Sequence, residues 1–135
     1  MPGRLILLFA ACVAAPAAIA HHSYAMFDAT RTSTVRGTVA KVEWRNPHVY
    51  VWVYVPRGPG SGQDLYAFEN AAVPTLERLG WSRDALPAGE TVSVDFFPLR
   101  DGRRGGHLLK VLRGDGTALN GVGGTPPPVS ARTGQ

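Results

Sequence analysis

Hydrophobic and polar positions alternate along most of the chain between residues 34 and 114, and that period of two predicts strands rather than helices. The stretch TVRGTVAKVEWR (34–45) is rich in β-branched residues, with Gly37 marking a bulge or tight bend. Asn46-Pro47 ends it, because proline lacks the N–H that a ladder needs. In HVYVWVYV (48–55), Val49, Val51, Val53 and Val55 share one face and His48, Tyr50, Trp52 and Tyr54 the other, which predicts a central strand with apolar surface on both sides. RGPGSGQ (57–63) is a loop by composition, and DLYAFEN (64–70) returns as the hairpin partner. The period then changes: Val73, Leu76 and Leu79 recur three apart in AAVPTLERLGW (71–81), Pro74 suits a first helical turn and Gly80 a stop, which predicts a helix of about two turns. Alternation resumes in TVSVDFFPL (91–99) and in a last strand, HLLKVLRG (107–114).

Five short strands with one short helix between the third and fourth point to an all-β fold, a small five-stranded antiparallel barrel of the oligonucleotide/oligosaccharide-binding (OB) kind. A small β-sandwich is the alternative. Trp44, Trp52 and Trp81 are expected in its core. From about Leu119 the chain turns to Gly, Pro and Ser, so residues 120–135 are expected to be a disordered tail and residues 21–119 a single barrel domain.

The first twenty residues change the picture. Arg4, an apolar run from Leu5 to about Val13, and Ala18-Ile19-Ala20 make the three parts of a secretory signal peptide (1–20), and the run is too short to span a bilayer. Cleavage after Ala20 leaves small residues at both positions that processing reads. Cleavage after Ala18 would instead make His21 the third residue, and lipidation at Cys12 is a further alternative. The expected location is therefore periplasmic or secreted, with no membrane span.

Removing the signal leaves 115 of the 135 residues, lowers the formal charge from +4 to +3, and takes away the only cysteine. Such a chain has no disulfide, no thiolate nucleophile and no cysteine ligand, so a metal would have to be held by His, Asp, Glu or the terminus. Arg100, Arg103 and Arg104 cluster in PLRDGRRGGH, whose Asp-Gly and Gly-Gly pairs read as a solvated hairpin tip rather than a phosphate or nucleic-acid patch. No nucleic-acid partner is expected.

An N-terminal His21 would present an α-amine and an imidazole together, with reference pKa values near 7.7–8.0 and 6.5, so both can bind a metal at neutral pH. One further imidazole would complete a three-nitrogen site suited to a copper ion. Only four histidines exist, and the candidate metal residues are His21, His22, His48 beside the Pro47 break, His107 after the Gly105-Gly106 turn, and Glu69 at a strand end. No Gly-x-Ser-x-Gly elbow, phosphate-cradling loop or Cys-x-x-Cys pair is present, so an enzymatic role has little support.

HHSYAMFD after the signal, WRNPH before the valine-rich strand, FEN with Pro74, Leu76, Gly80 and Trp81, and PLRDGRRGG before the last strand form a set. In that set the chain resembles a family of small exported bacterial proteins defined as a domain of unknown function. The resemblance covers about residues 21–119 and implies a periplasmic single domain, without a reaction or ligand. One departure is local, where Asn70-Ala71-Ala72 stands in place of a Gly-Gly-Ser-like turn. Two readings stay open: a periplasmic copper-binding module using the His21 terminus, and a metal-free module that binds a protein partner or small ligand. Oligomeric state is not legible.

Overall fold

The computed structural model describes residues 24–123. The expected signal peptide, Cys12, His21, His22 and residues 124–135 of the expected tail lie outside them.

After one 3₁₀ turn at Tyr24–Met26, the chain forms β1 (Ser33–Glu43), β2 (Tyr50–Pro56), β3 (Gln63–Glu69), helix α1 (Val73–Arg78), β4 (Thr91–Pro98), β5 (Gly105–Arg113) and β6 (Ala118–Asn120). The sheet order is β3-β2-β1-β4-β5-β6, and β3 also pairs with β5, closing the first five strands into a barrel of the expected kind. The closing pair is parallel, Glu69 standing opposite His107, while the other four barrel pairings are antiparallel. A closed ring of five strands cannot alternate direction all the way round, so one pairing of an otherwise antiparallel barrel has to be parallel.

Alternation sets the core. Val49, Val51, Val53, Phe68, Leu76, Val94, Leu108 and Val111 are completely buried, each burial contributing roughly 1.5–3 kcal/mol. Two bulges keep apolar residues inward where strict alternation would fail. Between Val39 and Lys41 the β1–β2 register shifts, so that Val42 turns inward and Lys41 outward. A second shift, between Asp95 and Phe96, lets Leu108 and Val111 both face the core although they are three apart.

Gly37 is therefore not itself the bulge. It is glycine because a Cβ there would run into the Tyr54 carbonyl and the Val53 side chain of the adjacent strand. The tryptophans also divide. Trp81 is buried, Trp44 packs half-buried against the core, and Trp52, between inward Val51 and Val53, lies on the outer face beneath the Lys41 ammonium at 5.1 Å.

The helix is shorter than its pattern, six residues, and plugs one end of the barrel with Leu76. Its first turn is capped from afar: Val73 N donates to Oδ1 of Asn46 at 2.9 Å. Residues 118–123, partly assigned to the tail by composition, continue the packing. β6 pairs with β5, Gly121 N donates to the Leu109 carbonyl at 2.8 Å, and the Trp81 indole N–H donates to the Asn120 carbonyl at 2.8 Å. Among the described residues no helix is long and apolar enough to cross a membrane.

Candidate functional site

Strand registry builds a row of four outward side chains across the barrel. Tyr50 on β2 stands opposite Glu69 on β3, Glu69 opposite His107 on β5, and His107 opposite Phe97 on β4. Each follows or precedes a buried residue (Val51, Phe68, Leu108, Phe96), so the pleat turns all four outward.

His48 joins this row from the segment before β2. Its Nδ1 lies 3.0 Å from Oε1 of Glu69 and 3.2 Å from the Asn70 carbonyl oxygen. Both partners accept hydrogen bonds, so Nδ1 carries the proton, and in the neutral ring the lone pair is on Nε2. The other carboxylate oxygen of Glu69 accepts from the Tyr50 hydroxyl at 2.9 Å. Burial, the hydrogen bond to Glu69 and its charge together push the Tyr50 hydroxyl up to about 12. The pair is bordered by two cavities: one of about 280 Å³ lined by Arg45, Asn46, Pro47, His48 and Tyr50, and one of about 130 Å³ where Glu69 and Tyr50 meet Met26, Phe27 and Arg103.

The N-terminal segment is fastened over the same row. Phe27 pairs with Leu99, Asp28 N donates to the Pro98 carbonyl at 2.8 Å, and Arg100 N donates to the Met26 carbonyl at 2.9 Å. Tyr24 and Phe27 bring their rings to 5.2 and 5.5 Å from the His107 imidazole. This aromatic nest leaves His107 only 8% exposed, and its Nε2 donates to the Val122 carbonyl at 2.9 Å.

Of the residues expected from sequence, the fold thus brings His48 and Glu69 into contact and sets His107 one strand away as a packed, hydrogen-bonded side chain. His21 and His22 fall just upstream of the fastened segment, outside the described residues. Among the described residues no three His, Cys, Asp or Glu side chains form a metal-holding group. Tyr50 was missed as a site residue, although its position two beyond His48 on the same strand face was a usable signal. Asn70 was missed too: it is 1% exposed, its Oδ1 accepts from Ala71 N at 2.9 Å, and its carbonyl orients His48. Nothing in the sequence distinguishes it from a turn asparagine.

A family model described as a family of unknown function (DUF6152) matches residues 9–109. No curated protein and no solved structure matches the chain.

Proposed function

The chain belongs to the DUF6152 family, and since that membership names no activity, we propose from the site's chemistry that the protein is a periplasmic metal-binding module, with copper the ion. The observation that carries the reading is the His48–Glu69 pair. An imidazole that gives one ring proton to a carboxylate and offers the other nitrogen outward is the arrangement by which proteins orient a metal-ligating histidine, the carboxylate fixing the tautomer and raising ligand basicity.

His48 would supply one nitrogen through Nε2. Signal removal after Ala20 would supply two more, the amine and imidazole of His21, with His22 beside them. The tether limits how far the terminus can lie: His21 stands three positions before Tyr24, whose ring is 5.2 Å from the His107 imidazole, and three residues of extended chain reach at most about 11 Å. Three nitrogens and an open position suit Cu(I) and Cu(II) better than the harder divalent ions. In this reading Glu69 and Tyr50 support the ligand His48, and His107 anchors the segment that carries the terminus. Such a site fits metal carriage or buffering.

The test is an equilibrium titration of protein recovered from the periplasm, its N-terminus read by mass spectrometry, against a competing copper chelator. One equivalent should bind when the chain begins at His21, and four alanines added before His21, which carry both histidines beyond the third position, should weaken binding at least about tenfold through loss of the chelate ring. Equal affinity with and without the added residues overturns the reading and leaves the metal-free binding module.

A further inference from the structure

On the same side of the barrel, a separate cavity of about 180 Å³ opens between the segment before β1 and the β4–β5 loop. Arg31 borders it from the first, and Arg103 and Arg104 from the second, while the rings of Tyr66 and Phe96 lie at its floor. Those rings meet edge to face at 6.5 Å, and Phe96 is a core residue at 4% exposure, so the floor is rigid and apolar.

No carboxylate lines this cavity. The acids nearby are committed elsewhere. Asp64 accepts from Arg104 at 2.8 Å and also lies 3.6 Å from Arg57, so one carboxylate serves two guanidiniums. Asp101 pairs with Arg103 through its Nε at 2.7 Å. Asp28 accepts from both the Thr30 hydroxyl and the Thr30 N–H, and these bonds, with smaller contributions from the charges of Arg100 and Arg31, hold its carboxyl below the usual range. Among the described residues Arg31 has no carboxylate within 4 Å. Glu69 lines the adjoining cavity, which shares Leu99 and Arg103 with this one, but its oxygens are taken by His48 and Tyr50. Positive charge is therefore in excess at the rim, above an aromatic surface.

We infer that this cavity binds a small organic anion, one carboxylate or phosphate group on a planar apolar body, with the charged group between Arg31 and Arg103 and the body against Tyr66 and Phe96. Guanidinium forks match the planar oxygens of such a group bidentately. The volume is below that of drug-sized pockets, so the ligand is of single-ring size. This site is independent of the metal proposal, since none of its charged residues is a candidate ligand.

The probes are benzoate and phenyl phosphate, with acetate and inorganic phosphate as their bare counterparts, titrated into the purified protein and followed by amide NMR shifts. Both ring-bearing probes should saturate one site, shift the Gly102 and Gly105 amides, and bind about tenfold or more tighter than the bare ions. R31Q with R103Q should weaken them about tenfold, while R36Q, on another face, should change nothing. Melting curves of the variants should overlay that of the parent chain, showing that the exposed substitutions leave the fold intact. Absence of saturation, equal binding of ring-bearing and bare anions, or indifference to R31Q with R103Q overturns the inference.

Discussion

Glu69 grips His48 by its Nδ1 proton, the carboxylate oxygen lying 3.0 Å from that nitrogen. The geometry fixes which nitrogen of the ring faces outward, and it ties a loop histidine to the end of a barrel strand. Removing the carboxylate leaves only the Asn70 carbonyl, 3.2 Å from Nδ1, to hold the ring, so its orientation and tautomer are less firmly fixed. Glu69→Ala is expected to lower copper affinity about 10–100-fold, read by chelator competition, with Glu69→Gln falling between it and the parent chain because an amide oxygen still accepts. Unchanged affinity in Glu69→Ala would show that the pair only stabilises the loop.

Tyr50 makes a second, alkaline prediction. Its folded pKa near 12 exceeds the unfolded value near 10, so the unfolded chain releases this proton first. The stabilisation is complete below pH about 10 and is lost as pH rises towards about 12. Absorbance at 295 nm should show one tyrosine titrating last, and Tyr50→Phe should remove that late phase. Chemical unfolding should lose stability less steeply across that window in the variant.

The fastening of the N-terminal segment can be loosened without breaking the barrel. Phe27 is 3% exposed against His107 and Leu99, and Phe27→Ala removes contacts worth about 3–5 kcal/mol in a core setting. The expected result is local opening: the Asp28 and Arg100 amides, bonded to Pro98 and Met26, lose hydrogen-exchange protection while those of Val51 and Val94 keep theirs. If all four change together, the segment is part of the cooperative fold.

Gly105 tests the closure of the barrel. It has φ +130°, and a Cβ there would drive into the Ala67 carbonyl across the parallel β3–β5 pair. Gly105→Ala should cost about 2–4 kcal/mol and lower Tm by roughly 10 °C or more. Gly60→Ala is the control: φ is +72° but nothing lies within 4 Å, so only about 1–2 kcal/mol of backbone strain is expected. Equal losses would mean that close approach at the seam is not what selects glycine.

Much of this architecture is legible in the sequence, for identifiable reasons. Valines at every second position from 49 to 55 report the inward face directly, whereas of Val73, Leu76 and Leu79 only Leu76 is fully buried and Leu79 is 44% exposed. The parallel seam was deducible from strand count alone. Hidden features depend on distant partners: the Asn46 cap on Val73, β6 completed by Leu109 and Trp81, and Gly37 pressed by a neighbouring carbonyl. His48 and Glu69 could each be nominated as strand-end donors, but their contact rests on β2–β3 registry. His107 read the same way from sequence, and only the overlying Tyr24 and Phe27 rings and the Val122 carbonyl distinguish its role.

The most direct measurement is electron paramagnetic resonance of the protein beginning at His21, loaded with one equivalent of Cu(II), compared with His48→Ala. The account predicts a single type of site with nitrogen couplings from the terminus and from a second imidazole, and loss of that imidazole's coupling in the variant. Superimposable spectra for the two proteins, or copper scattered among several weak sites in the parent, would contradict it.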